Sequence, residues 1–289
     1  MTDTVRRVWS GRAQLGEGPL WSAAHRALLF VDILGSRLLA HFPASGQTRE
    51  WPLDEACCWL APHADGGFVA GLRSRLVRLH LDADGPRLGA TLAAPLADTP
   101  GQRHNDGKAD PHGRLWFGAM DAAEKAATGA LYRLDGRELT LVDRVYTVTN
   151  GPAIAADGAT LYHTDSPART VYAFDLADSG ELTNKRVHLR FAEADGFPDG
   201  MTVDAEGGLW IAHWDGGRIS RFLPDGTRER EIRLPASRVT CCTFGDDDLA
   251  TLYITTAAVE RDGEDQAGGL FAIRPGVKGL PACSYREHG

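Results

Sequence analysis

The sequence predicts an all-β fold: a six-bladed β-propeller of four-stranded antiparallel blades, formed as one domain over residues 1–289. Three observations carry that expectation. A turn followed by an apolar strand recurs near His25, Gly66, Gly113, Gly158, Gly207 and Asp248. The spacing is about 40 to 50 residues, the range in which repeats signal propellers or solenoids. Each of these strands is followed by another in which polar and apolar residues alternate, and helical periodicity is absent, so an α/β reading fails. A β-solenoid competes, but its repeats are usually shorter.

The units read in order as follows. The strand after the turn is apolar, as in Leu28-Leu29-Phe30, Leu115-Trp116-Phe117 and Leu209-Trp210-Ile211. The next strands fall at 37–42, 75–80, 129–134, 170–175, 218–222 and 269–273, and most end in a turn signal such as Pro224-Asp225-Gly226. A fourth strand follows in several units, for instance Thr140-Leu141-Val142 and the run 185–189. Radial repetition of four-stranded sheets leaves only short, protected edges. Closure is expected from an N-terminal strand around residues 5–13 pairing with the last unit.

Composition narrows the partners. The chain has 33 glycines and 15 prolines spread along its length, which suits many short strands joined by turns. A formal net charge of -8 argues against a nucleic-acid partner, which needs clustered cations. No stretch approaches the roughly 18 to 20 apolar residues that span a bilayer. The segment Met1-Thr2-Asp3-Thr4-Val5-Arg6-Arg7 has no apolar core after its basic pair, so no signal peptide is expected. The five cysteines form two adjacent pairs and one left over, which is not a disulfide framework, and a reducing cytoplasm is the expected home.

The heads of the units are the sharpest internal signal. Glu17, Asn105, Asn150 and Asp199 each lie eight positions before the turn residues His25, Gly113, Gly158 and Gly207. If the residues that follow form the innermost strands, these four side chains share one layer around a central tunnel. Asn, Asp and Gly also simply make turns. Four oxygen-bearing side chains in register are, however, what a hard or borderline divalent cation requires. In the other two units the same count lands near Cys58 and Cys241. These thiols are read as small apolar side chains and left out of the site.

With these motifs in view, the chain resembles the gluconolactonase, regucalcin and luciferin-regenerating-enzyme family of six-bladed propellers. The resemblance runs over nearly the whole chain. It is carried by Leu15-Gly16-Glu17-Gly18-Pro19-Leu20-Trp21, Arg103-His104-Asn105-Asp106-Gly107-Lys108, Gly113-Arg114-Leu115-Trp116-Phe117-Gly118-Ala119-Met120, Thr149-Asn150-Gly151-Pro152, Asn184-Lys185-Arg186 and Pro198-Asp199-Gly200. It implies one divalent cation (calcium, zinc, manganese, magnesium or ferrous iron) held on the central axis by Glu17, Asn150 and Asp199. It also implies substrate contacts from Arg103 and Asn105. The family usually brings a glutamate over the substrate from the loop after Gly-x-Met; here that loop reads Asp121-Ala122-Ala123-Glu124-Lys125, so Asp121 or Glu124 could serve.

The reaction implied is metal-dependent hydrolysis of a small-molecule sugar lactone to its acid, with Asp199 as both ligand and general base. Pentono- and hexonolactones of bacterial oxidative sugar pathways all fit. Two other readings stay open: a different ester or phosphotriester hydrolase on the same scaffold, and a non-enzymatic cation-binding propeller. The run His163-Thr164-Asp165-Ser166 looks like fragments of a hydrolase triad, but its residues are too close in sequence to face one another on a strand. Trp21, Trp116, Trp210 and Trp214 read as blade-packing aromatics, and Asp106 with Lys108 as a local structural pair.

Overall fold

Alternating and apolar runs can only satisfy their backbone groups by pairing with one another, and each recurring run does so with its sequence neighbours. In a computed structural model that describes residues 4–287, the strands form six four-stranded antiparallel sheets, and the chain has the six-bladed β-propeller fold. Met1–Asp3, part of the stretch read for a signal peptide, lie outside the described residues, as do His288 and Gly289. Blades 1 to 5 span residues 16–52, 57–93, 102–146, 149–190 and 197–233. Blade 6 takes three strands from 239–273 and its fourth from Arg6–Trp9, with Arg6 opposite Ala272 and Arg7 opposite Phe271. The expected N-terminal strand is therefore present but shorter than 5–13. The expected fourth strands are longer than their apolar cores, at Glu138–Tyr146 and Leu182–Arg190.

Contacts divide the chain into two compact units of three blades each. Met1–Ala56 with Phe191–Pro281 holds blades 1, 5 and 6; Cys57–Arg190 with Ala282–Gly289 holds blades 2, 3 and 4. The core of the first unit includes Trp210, Phe244, Ile254 and Phe271, and that of the second includes Trp116, Leu131, Leu161 and Phe174. Second strands such as Ala27–Asp32 and Thr251–Thr256 are buried along their whole length because side chains on both faces meet other blades. Fourth strands such as Arg228–Arg233 alternate or stay exposed. The one helical element among the described residues is the short turn Glu193–Asp195, and no helix is long and apolar enough to cross a membrane.

One device recurs at the turn between first and second strands. The pattern Asp-x-x-Gly-x-Leu-Trp occurs at 110–116 and at 204–210. Asp204 is fully buried and accepts hydrogen bonds from the backbone N–H of Glu206 (3.0 Å) and Gly208 (2.8 Å), from Trp210 Nε1 (2.8 Å) and from Arg221 Nε (2.6 Å). Asp110 makes the same set with His112, Arg114 and Trp116, its arginine coming from the turn itself, Arg114 Nε at 2.6 Å. A carboxylate thus closes the turn, orients the tryptophan and neutralises a buried guanidinium. Trp116 and Trp210 are blade-packing residues, as the sequence suggests, and the aspartate fixes how they pack.

Removing one partner of a buried ion pair typically costs about 3 to 5 kcal/mol. Asp204→Ala is expected to lower the urea stability of its unit by about that amount, and Asp204→Asn by less. A loss under about 1 kcal/mol for the alanine variant would show that the turn does not depend on the clamp.

Candidate active site

Each first strand carries one residue too many near its head. In blade 1, Glu17 pairs with Val31 and Leu20 with Leu29, so Gly18 and Pro19 face a single residue of the second strand. Asn105 and Asp106 hold the same place in blade 3, Gly151 and Pro152 in blade 4, and Asp199 and Gly200 in blade 5. In blades 2 and 6 the extra residues are Cys58 and Thr240. These are β-bulges, which bend a strand and redirect its side chains.

The bulges add a distinction that counting from the turn does not contain. Glu17 and Asn150 are the last paired residues before the shift, whereas Asn105 and Asp199 lie inside it. The turns that anchored the count differ by one residue between these two pairs of blades, so equal distance from the turn is not equal register. In blade 6 the bulged residue is Thr240, while Cys241 pairs with Thr255. All four cysteines of the adjacent pairs are buried.

In the first unit, Glu17 and Asp199 are both 7% exposed. Gly18 has a φ of +52°, which a side chain resists, and its N–H donates to Glu17 Oε2 at 2.9 Å, folding the carboxylate back over the bulge. The first strand of blade 6 lies against those of blades 1 and 5. Thr240 Oγ1 donates to Gly16 O at 2.5 Å, and a Cβ on Gly200 would come within 2.4 Å of Cys241 Sγ. The pair Thr240-Cys241 thus packs against the segments that carry both carboxylates, and Gly200 is required by that close approach.

In the second unit, Arg103, Asn105 and Asn150 come together. Arg103 Nη1 donates to Asn105 Oδ1 at 2.7 Å and to His104 O at 3.0 Å. Asn105 Nδ2 donates to Thr149 O at 2.6 Å and to Asn150 Oδ1 at 3.0 Å. Asn150, buried, donates from Nδ2 to Ser166 Oγ at 2.8 Å. Asp121 and Glu124 part company. Asp121 accepts the backbone N–H groups of Ala126 (2.9 Å), Lys125 (3.0 Å) and Ala123 (3.3 Å), which order the loop and hold its carboxyl below the usual range. Glu124 is exposed and reaches Arg103 Nη2 at 3.6 Å.

Asp106 also proves more than a partner of Lys108. It is buried, which pushes its carboxyl up, while the Lys108 charge and the N–H groups of Gly107 and Gly151 pull it down. Its Oδ1 accepts the Gly107 N–H at 2.7 Å, which closes the bulge of blade 3 on itself. Ser166 is the residue that sequence reasoning undervalued: it was legible only as the end of a triad-like run, not as the acceptor for Asn150. That run is no triad. His163 packs its ring edge-on against Tyr146 at 4.8 Å, and Asp165 accepts the backbone N–H of Thr147 at 3.2 Å and of Val148 at 3.4 Å. Trp214 lies under the Arg238 guanidinium, 4.5 Å from its ring centroid, and Trp21 stacks on Tyr253.

Among the described residues no three His, Cys, Asp or Glu side chains come together to hold an ion. A resident cation on this chain must therefore take a carboxamide, carbonyl or water oxygen alongside its carboxylates. The buried carboxylates of Glu17 and Asp199 in the first unit, and the oriented Asn150 carboxamide in the second, are each oxygen donors of the kind an oxygen-preferring ion takes.

The comparisons with known proteins agree along the chain. The family described as SMP-30/Gluconolactonase/LRE-like region matches residues 15–258. The chain is 36% identical to a 6-deoxy-6-sulfogluconolactonase of Pseudomonas putida, over 96% of this chain and 97% of that protein. It is 35% identical to a pentonolactonase of Haloferax volcanii, again over 96% and 97%. The solved structure of a calcium-binding protein, regucalcin, from Agrobacterium tumefaciens superposes with a TM-score of 0.91 at 26% identity, covering 99% of this chain and 97% of that one.

Burial lowers five histidines, His41 and His63 among them, with His104 brought to about 4, His163 to about 3 and His213 to about 4. They are neutral in the folded protein but titrate near 6.5 when unfolded. The stability gained by keeping them neutral is complete above pH 6.5 and lost as pH falls toward 4 and then 3. Asp106 and Asp165, whose carboxyls burial raises, act in the opposite direction. The melting temperature is expected to fall between pH 6.5 and 4.5, and less steeply in His163→Gln, by differential scanning calorimetry. Equal slopes in the two proteins would mean that His163 is not part of the acid limb.

Proposed function

Because the chain belongs to the SMP-30/gluconolactonase/LRE-like family, we propose that it hydrolyses a sugar lactone with the help of one divalent cation. The ligands in this reading are Glu17, Asn150 and Asp199. The observation that carries it is the linked pair of carboxamides, Asn105 on Asn150, with the Arg103 guanidinium beside them. Blade packing has no need of such a constellation, and a simple cation buffer has no use for the arginine.

Bound there, a divalent cation supplies Lewis-acid polarisation and a lowered pKa for water. The chain's own groups divide the remaining work. Asp199 takes the proton of the attacking water, a contribution typically of about 10²- to 10⁴-fold. Arg103 and Asn105 orient the lactone, and Arg103, held by its bond to Asn105 Oδ1, donates to the oxygen that gains charge as the ring opens. Glu124, on its exposed loop and close to Arg103, is the residue this reading assigns to the sugar hydroxyls, while Asp121 holds the loop that carries it.

Pentono- and hexonolactones are the substrates this reading favours, given the named substrates of two relatives. Calcium is the first ion to supply, and manganese, zinc, magnesium and ferrous iron follow. The test is pH-stat hydrolysis of a panel of aldonolactones, beside an organophosphate, by metal-stripped protein restored with one cation at a time. Asp199→Asn is expected to retain the cation and to lose at least about a hundredfold in turnover. Near wild-type turnover in that variant would remove Asp199 as the base, and hydrolysis of the organophosphate alone would replace the lactone reading.

A further inference from the structure

A carboxamide is almost the same shape either way round, and only its hydrogen-bond partners decide which end carries the oxygen. A cation ligand must present oxygen, since a flipped amide points two N–H groups at the ion. We propose that Arg103, Asn105 and Ser166 form a directed hydrogen-bond chain that fixes the Asn150 oxygen as a ligand, with Ser166 as a positioning residue. This rests on the metal-dependent reading above and assigns Arg103 and Asn105 a role that does not require substrate.

The direction follows from one donor-only group. A guanidinium has five N–H groups and no acceptor. Arg103 Nη1 must therefore find an oxygen, and it finds Asn105 Oδ1 at 2.7 Å. That choice turns Asn105 Nδ2 toward blade 4, where it donates to Thr149 O at 2.6 Å and Asn150 Oδ1 at 3.0 Å. Asn150 is then obliged to point its Nδ2 the other way, to Ser166 Oγ at 2.8 Å. The Asn150 oxygen has two lone pairs; Asn105 occupies one, and the second remains for an ion.

Burial makes the direction costly to reverse. Asn150 is 3% exposed and Ser166 8% exposed, so bulk water has little access to either end of a flipped amide. Ser166 is itself anchored, because its N–H donates to Val148 O at 3.0 Å and its carbonyl accepts the N–H of Arg169 at 2.9 Å. The neighbouring Asp165 carboxylate accepts the N–H groups of Thr147 and Val148, so the turn after the second strand of blade 4 grips the segment leading to Asn150. Groups of this kind behind a metal ligand typically change affinity by about 10- to 100-fold when removed.

The test is calorimetric titration of metal-stripped protein with calcium alone, no lactone present. Ser166→Ala and Arg103→Met are each expected to weaken calcium binding about 10- to 100-fold. Ser166→Thr, which keeps the hydroxyl acceptor, is expected to restore most of the affinity. Turnover of Ser166→Ala is expected to recover at saturating cation, because Ser166 does not touch substrate. If Ser166→Ala does not fold, Arg103→Met, altered at the far end of the chain, decides the matter. Wild-type calcium affinity in the folded variants would overturn the proposal while leaving the lactonase reading intact. Wild-type protein that binds neither calcium, manganese nor zinc would overturn that reading itself.

Discussion

A β-ladder that keeps its register sends alternate side chains to opposite faces without exception, and inside a buried sheet both faces are apolar. A polar residue placed there would be stranded. The first strand of each blade escapes this by taking in one extra residue near its head, where pairing lapses for one position. The lapse is where Asn105, Asp106 and Asp199 sit, and it begins immediately after Glu17 and Asn150. The candidate residues Glu17, Asn105, Asn150 and Asp199 all sit in or next to that local failure of the ladder.

A bulge creates polar groups that must be satisfied, and the two units do this with different chemistry. Around Glu17 and Asp199, small residues permit close approach: Gly18 for its positive φ, Gly200 for the sulfur of Cys241, and Thr240 for a short bond to Gly16. Around Asn150 the solution is a network. Arg103, Asn105 and Ser166 bond side chain to side chain, while Asp106 and Asp165 accept backbone N–H groups that would otherwise be buried and unpaired. Networks of this kind carry direction, which packing does not. Direction is what a carboxamide ligand needs.

Away from the heads, charge is used for architecture. Asp110 and Asp204 each gather two backbone N–H groups, an indole and a guanidinium, and so convert a turn into a fixed corner. Buried histidines are kept neutral at the same time. His104 and His213 each bond through Nδ1 to a backbone carbonyl, of Leu72 and Asp195, and His163 packs on Tyr146. Ionisable residues are therefore common in the interior without being catalytic, and a triad-like run such as 163–166 is read correctly only when each partner is known.

The fold class, the number of blades and the closing N-terminal strand were legible in the amino-acid sequence, which also marked Glu17, Arg103, Asn105, Asn150 and Asp199 as candidates for the site. The architecture follows from local periodicity, and four of the candidates from motifs that repeat along the chain, whereas Arg103 and the roles of the other four come from the family resemblance. The sequence could not place the four head residues relative to the ladder, because a bulge moves register by one while leaving the spacing to the next turn looking regular. Nor could it separate Asp121 from Glu124, or raise Ser166 above its neighbours. Those distinctions depend on which donor meets which acceptor between segments up to 45 residues apart, as Asn105 and Asn150 are. Only folding brings such groups within bonding distance, and so only the tertiary structure decides them.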